Sequence, residues 1–435
     1  MDSQKHILIL GAGFGGLSLC HGLKHPKARI SLVDRQNHHL FQPLLYQVAT
    51  CGLDSTDVAQ PIRYLVSDRK DINVYQATVT GVDLAARRVQ TSHYNLDYDY
   101  LVIALGGVTS YFGHPEWEEH APGLKSLEDA SRIRKNVLFA FEQAEIERDD
   151  DRRRRLMTIV VVGGGPTGVE MAGALAELAK RVLRSDFRHI DPAQARVVLI
   201  ESTDYVLGHM GHALGHHANE SLRRLGVEVR TGLMVDDIKP GVVHLSDGEI
   251  IEADNIVWAA GVGAHPLTRQ LGLPPDGLDR AGRIRVEPDL SLPNHPEVFA
   301  VGDLAYIEDE HGNPVPGVSP AAMQMSSHAA KQIRRELENG SAPGATGREP
   351  FRYWNKGTMA TIGRNKAVAM IGRLQFSGFL AWFLWLFVHL VFIIDLKNRI
   401  IVFIKWTFSY LTYARGARIF SLREGEAERF EREHP

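Results

Sequence analysis

Two sets of glycines recur in the 435-residue chain. Gly11, Gly13 and Gly16 hold the spacing GxGxxG within "HILILGAGFGGLSLCHGL"; Gly163, Gly165 and Gly168 hold it within "IVVVGGGPTGVEMAGALAEL". This spacing suits one task, the holding of a pyrophosphate. The first glycine permits a tight turn, the second lets backbone amides approach the phosphates, and the third lets helix pack on strand. The phosphates then lie at a helix N-terminus, where free amides and the dipole favour anions. Asp34 and Glu201 end the next strands, "RISLVD" and "RVVLIE", where a carboxylate bonds a ribose 2′-hydroxyl. A carboxylate also repels a 2′-phosphate, and "IESTDYV" has no arginine after Glu201, so the second site favours NADH over NADPH. Glu170 follows the last glycine of the second set, in the first turns of its helix, where the dipole favours a carboxylate. It is suited to orient an amide or relay a proton, although acids also stand at helix starts for stability alone.

The elements around these residues read as α/β. Apolar strands precede both glycine turns and small-residue helices follow them. Strand-like "INVYQATVTGVD" and "YDYLVIALGG" come after the first unit, and helix-like "LEDASRIRKNVLFAFEQAEIE" leads to the charge run Arg148 to Arg155, read as a solvated linker. "VFAVGDLAYI" and a helix in "AAMQMSSHAAKQIRREL" close the body, and "ENGSAPGATGREP" reads as a Gly/Pro/Ser linker. The length implies more than one core. Nothing points to nucleic acid. Two cysteines, Cys20 and Cys51, make neither a disulfide framework nor a CxxC metal site and suit a reducing compartment. A first strand starting about five residues in leaves no room for a leader.

Two dinucleotides in one chain suggest a relay, with FAD held tightly and NADH coming and going. The pattern resembles the two-dinucleotide-binding-domain flavoproteins from Lys5 to about Leu337, through "VIALGG", "IVWAAGV" and "VFAVGDLA". "FQPLLYQVA", "AQPIR", "DFRHIDPAQARVVLIE", "AAMQ", "YWNKGTMATIGR" and the tail from "AWFLWLFVHL" to "YARGARIF" further resemble the type II, non-proton-pumping NADH:quinone oxidoreductases. The resemblance implies two Rossmann-like domains, the NADH domain inserted in the FAD domain, plus a C-terminal amphipathic helical membrane-attachment region. Its expected bounds are 1–115 and 269–340 for the FAD domain, 116–156 for a helical connection, 157–268 for the NADH domain and 350–423 for the attachment region. It implies that Asp303 bonds the FAD ribitol, and it counts Phe14, Gly15, Gln42, Val79, Gly106 and Gly261 among the cofactor-binding residues. Gln324, with Gln60, Pro61 and Arg63, would line the quinone entrance. Glu170, Gln324 and Lys356 would be catalytic, Glu170 where nicotinamide meets flavin. Many relatives carry a second glutamine where Pro320 stands, which puts any role of that glutamine in doubt here.

The tail points to the second substrate. From Arg352 to Arg423, Lys and Arg exceed acids by ten, although the whole chain has a net charge of -3. Four of the six tryptophans lie there, Trp354, Trp382, Trp385 and Trp406. "FSGFLAWFLWLFVHLVFII", Phe376 to Ile394, carries no formal charge and is near the ~20 residues that a spanning helix needs. A second, charge-broken run follows. Three readings stand: helices lying in the interface of an anionic bilayer with Trp and Lys/Arg at headgroup depth, a span, or a buried core or dimer helix. The first agrees with the family's peripheral attachment, here to the cytoplasmic face of the bacterial inner membrane. A homodimer is left open by the sequence. Two rival functions also stand, a soluble NADH-dependent reductase of an electron-carrier protein and a redox-sensing flavoprotein with little turnover.

Overall fold

The computed structural model describes residues 4–345, 347–393, 395–412 and 416–421. The chain divides into two compact units. The first comprises residues 1–40, 59–108 and 262–356, the second 41–58, 109–261 and 357–435.

The first unit is built on a six-stranded sheet. Its order is Ser291–Leu292, His295–Ala300, Tyr100–Ile103, Lys5–Leu10, Ala28–Asp34, Ile72–Gln76, parallel except for the short first strand. Ile7, Leu8, Ile9 and Leu10 are fully buried, as expected of a parallel strand covered on both faces. Helices Phe14–Gly22 and Ser319–Asn339 pack together on this sheet. Pro320 lies in the first turn of the latter helix, where its missing N–H costs nothing.

The second unit repeats the plan with four parallel strands in the order Val227–Thr231, Arg196–Glu201, Thr158–Val162, Asn255–Trp258. Helix Pro166–Glu177 follows its glycine turn. The expected helical connection, as Leu127–Ile146 and Asp150–Leu156, belongs to this unit. The charge run read as a linker is mostly the second of these helices. Asp149 caps it, accepting from the Asp151 and Arg152 amides, and Arg153 and Arg154 reach back to Asp150 and Asp151. Cap and i,i+3 pairs together turn a polar run into a helix.

The C-terminal stretch is only partly helical. Thr358–Thr361, Ala367–Ile371 and Leu374–Gly378 form an antiparallel sheet, followed by helices Phe379–Phe392 and Leu396–Thr412. The apolar run therefore begins as a strand. Its helix has 14 residues, about 21 Å at ~1.5 Å per residue, against ~30 Å of hydrocarbon. Among the described residues no helix is long and apolar enough to cross a membrane, so the spanning reading falls. Ile394, residues 413–415 of "YARGARIF" and Arg423 lie outside the described residues.

Three of the four tryptophans correct the sequence reading, whereas Trp354 is exposed. Trp382 and Trp385 face inward, 8% and 1% exposed, and the Trp382 indole donates to the Tyr410 hydroxyl at 2.9 Å. Trp406 is also buried and donates to Gln47 Oε1 at 2.8 Å. The surface is apolar instead: Phe379, Phe383, Phe387, Phe403, Phe408 and Leu411 are each at least half exposed. Cations of the stretch turn to the body. Lys405 binds Asp54 and Asp57 at 2.8 and 2.6 Å, Arg418 pairs with Asp186, and Arg364 donates to the Ser409 carbonyl. The alternative of a basic segment packing on an acidic body thus holds for Lys405 and Arg418, whereas the Arg364 guanidinium binds within the stretch itself.

Candidate functional site

On the first unit, Gly11 has φ +97°, and a Cβ there would stand 2.4 Å from the Ala104 carbonyl. A Cβ at Gly16 would strike the Gly11 carbonyl, whereas one at Gly13 would meet nothing within 4 Å. The first and third glycines are thus required by the fold, and the second faces open space where a pyrophosphate fits. Helix Phe14–Gly22 has no side-chain cap, so its first amides are available to phosphate oxygens. Asp34 accepts from the Ala12 amide at 2.6 Å and the Gln36 amide at 2.8 Å. Burial raises its pKa, and those amides act in the opposite direction. Its carboxylate braces the turn that it adjoins. Gly106 has φ +71° with open space before it, and Gly15 packs on Val301 and Ser326.

The second unit repeats this arrangement. Gly163 has φ +106° and abuts Ala260, and Gly168 abuts the Gly163 carbonyl. Gly165 faces open space. Glu201 accepts from the Gly164 amide at 2.6 Å and, through its other oxygen, from Thr203 N–H and O–H. The residue between the first two glycines, Ala12 or Gly164, thus donates to the strand-end acid in both units, a symmetry that spacing alone does not reveal. Gly261 has φ +74°, with Ser110 and Phe112 where a Cβ would stand. Gln42 is in this unit and donates to the Lys125 carbonyl.

Of the residues assigned to quinone or catalysis, Gln324, Gln60, Pro61, Arg63 and Lys356 belong to the first unit and Glu170 to the second. Both ends of the Gln324 amide engage the Trp354 backbone, donating to its carbonyl at 3.0 Å and accepting from its N–H at 2.9 Å. Gln324 therefore holds the segment bearing Lys356, whose ammonium lies 5.3 Å from the centre of the Trp354 ring, within cation–π range. Gln60 and Pro61 form a short strand against His39 and His38. The Arg63 guanidinium donates to the Val74 carbonyl. Asp303 is half-buried in a single helical turn, Gly302–Leu304, and Val79 opens a strand of the hairpin beside the sheet.

Glu170 is buried within its unit. One carboxyl oxygen accepts from the Thr361 amide at 3.2 Å. Burial lifts its pKa to about 8, with the Thr361 amide and then the Trp385 indole acting to lower it. That indole N–H faces the carboxyl but makes no hydrogen bond within normal limits. At neutral pH Glu170 is thus a carboxylic acid that can donate a proton. Around it lies a cleft of about 70 Å³, lined by Tyr46, Thr361, Glu177, Arg364, Trp406 and Tyr410 among others. The Tyr46 hydroxyl meets Thr361 Oγ1 at 3.1 Å and accepts from Gln47.

Residue spacing did not single out His39, Tyr46 or Thr361. His39 is buried, bonds the Ala12 carbonyl at 2.9 Å and packs edge-on against Phe14. Burial lowers its pKa to about 4, so the imidazole beside the first glycine turn is neutral. Tyr46 and Thr361 stand inside quoted motifs, but nothing in those motifs tells a buried hydroxyl from an exposed one. Cys20 and Cys51 are both buried and not joined to each other, and burial pushes Cys20 up to about 12. Neither is a redox-active disulfide.

The fold and its paired glycine turns are those of an oxidoreductase with two dinucleotide sites. The profile of the pyridine nucleotide-disulphide oxidoreductase family matches residues 5–330, and that of the NDH2 C-terminal domain residues 355–413. The chain is 45% identical over 422 residues to the type II NADH:quinone oxidoreductase Ndh of Mycobacterium tuberculosis, covering 95% of this chain and 89% of that one. It is 42% identical over 426 residues to NdhA of the same organism, covering 96% and 89%. The structure of NDH2 from Plasmodium falciparum in complex with NADH superposes with a TM-score of 0.88 over 95% of this chain and 99% of that one. At 19% identity that likeness is one of fold. The chain belongs to the type II NADH:quinone oxidoreductases, within the pyridine nucleotide-disulphide oxidoreductase family.

Proposed function

We propose that this chain is a peripheral membrane flavoenzyme that takes a hydride from NADH and passes two electrons to a membrane quinone without pumping protons. The observation that carries this reading is the pair of glycine turns, each with an open second glycine and a braced acid, in a chain whose last two helices present an apolar face. Residues 1–115 and 269–340 hold the flavin, 157–268 the nicotinamide, 116–156 connect them and 350–423 attach to the membrane. FAD, when bound at Gly11, Gly13 and Gly16, supplies the two-electron carrier, and Asp34 and Asp303 orient its sugar and ribitol. Glu201 reads the NADH ribose. Glu170, protonated at neutral pH, holds a proton for the quinone. Gln324 positions the Trp354–Lys356 segment, and Lys356, Gln60, Pro61 and Arg63 serve the quinone side. The membrane side is the cytoplasmic face of the inner membrane, in keeping with two reduced cysteines.

Purified protein given NADH and a short-chain quinone should turn over steadily and show a flavin spectrum. A flavin that NADH reduces but quinone does not reoxidise would overturn the proposal. Because Glu201 faces a 2′-substituent with negative charge, kcat/KM with NADH should exceed that with NADPH by about tenfold or more, ~1.4 kcal/mol in the barrier. Equal efficiencies would show that Glu201 does not read the ribose.

The membrane partner follows from the outer face. An exposed apolar surface of this extent marks an interaction site, and its continuity along two short helices suits an acyl-chain boundary. Phe383 and Phe387, 53% and 58% exposed, lie on it. Replacing both by serine should weaken partition into anionic vesicles by about 2–4 kcal/mol. High salt alone should leave binding largely intact, since screening does not touch the hydrophobic term. Unchanged flotation of the double variant with vesicles would remove this face from the membrane contact.

A further inference from the structure

Glu170, Ala174 and Glu177 occupy positions i, i+4 and i+7 of helix Pro166–Glu177, so they share one face. All three line the same cleft, with Glu170 buried and Glu177 further along the helix. The opposite wall brings hydroxyls to the inner end: Tyr46 and Thr361 bond each other at 3.1 Å, and the Thr361 amide bonds Glu170. At Glu177 the wall is the turn at Gly363 and Arg364, whose Arg364 amide donates to Glu177. A buried acid is here joined to a second carboxylate by a cleft wide enough for water.

The proposed reaction requires such a path. NADH gives up two electrons and one proton, whereas a quinol holds two electrons and two protons. Each turnover therefore draws one proton from water, and a buried acid that donates it must be reloaded.

We infer that the cleft along this helix is the proton path to Glu170, with Glu177 as its outer carboxylate and the Tyr46 and Thr361 hydroxyls as its inner wall. This inference rests on the reading of the chain as a quinone reductase. In each cycle one O–H bond of Glu170 breaks as the proton leaves toward the quinone. Another forms as a water-borne proton arrives past Glu177, and no oxidant or reductant is consumed. Burial keeps Glu170 protonated at neutral pH, and the surrounding charges do not displace that proton. At the outer end the Glu177 carboxyl accepts from the Arg364 amide. Tyr46, raised far by burial, stays neutral. Tyr410 lies under the Arg364 guanidinium. His389, stacked behind Trp385, is lowered to about 4 and is neutral.

The test uses the whole flavin-loaded protein in vesicles. Glu177→Gln retains an acceptor for the Arg364 amide but carries no proton. It should lower quinone turnover about tenfold at pH 8, where protons are scarce, and much less at pH 6, with a larger solvent deuterium isotope effect. Small permeant acids such as imidazolium should restore part of the rate, and Glu177→Asp should stay near the parent. Anaerobic reduction of the flavin by NADH, followed by stopped flow, should be unchanged in all variants. An unchanged pH profile and isotope effect in Glu177→Gln would overturn the path while leaving the quinone reductase reading intact. Parallel loss of flavin reduction would also overturn it, because the residue would then be structural. A parent enzyme that does not reduce quinone at all would instead sink the reading on which the path rests.

Discussion

Replacing Glu170 by glutamine should lower quinone turnover by about 10²–10⁴-fold, the usual contribution of a positioned general acid. The reason is a single proton. The carboxyl is buried, its pKa stands at about 8, and it bonds the Thr361 amide through one oxygen. Glutamine keeps the shape and that acceptor but cannot deliver a proton. The same change should stabilise the protein at alkaline pH. Folding raises the Glu170 pKa from 4.5 to about 8, so the folded state binds more protons than the unfolded one between those values. Stability conferred by the protonated form is complete below pH 4.5 and is lost as pH rises through about 8. Glutamine has no such loss, so the variant's advantage over the parent should grow across that window to a few kcal/mol, on the order of 1.4 kcal/mol per pH unit at most. Chemical denaturation at pH 5 and pH 9 measures it. A variant with full turnover and no gain at pH 9 would show that Glu170 is an ordinary ionised acid.

Replacing Arg348 by alanine should cost about 3–5 kcal/mol, because it leaves a buried charge without its partner. The guanidinium is 4% exposed, binds Glu336 through Nε at 2.8 Å and Nη2 at 3.0 Å, and binds Asp289 at 3.0 Å. It also stacks over Phe299 at 4.6 Å. Glu336, 1% exposed, would keep only the Tyr100 hydroxyl and the Gly344 amide. Arg348 stands in the segment read from composition as a loose linker, so the expected result sets a mobile tether against a pinned strap. The strap should show as a lower unfolding temperature of the first unit, followed by circular dichroism and flavin fluorescence. The double change Arg348→Met with Glu336→Gln should cost much less than the sum of the single ones. Unfolding unchanged in Arg348→Ala would mean that the network contributes nothing in solution.

Much of the chemistry was legible in the sequence. Glycine spacing after an apolar strand admits few conformations, because Cβ atoms at Gly11 and Gly163 would overlap neighbouring backbone. Strand, turn and helix therefore follow from residue type. Asp34 and Glu201 were legible for the same reason, since a strand of known length places its last residue beside the turn. The family was legible because its motifs run along nearly the whole chain.

Contacts between distant segments were not legible. Whether a tryptophan faces lipid or protein depends on which side of its helix meets the body. Trp382, Trp385 and Trp406 carried the expectation of a headgroup belt, yet packing against Tyr410, His389 and Gln47 turned them inward and left the phenylalanines outside. Charge failed similarly. Lys405 counts toward a basic surface in composition, but Asp54 and Asp57, more than 300 residues away in the chain, hold it to the body. The apolar run has the composition of a span, but its first residues pair as a strand with Ala367–Ile371, which shortens the helix. The proton on Glu170 was likewise decided by tertiary structure: a helix-start acid is ordinarily ionised, and only burial between the Thr361 strand and Trp385 makes it a donor. Local backbone sterics are written in residue type and spacing. Solvent exclusion, which sets facing, pairing and pKa, exists only once distant segments have met.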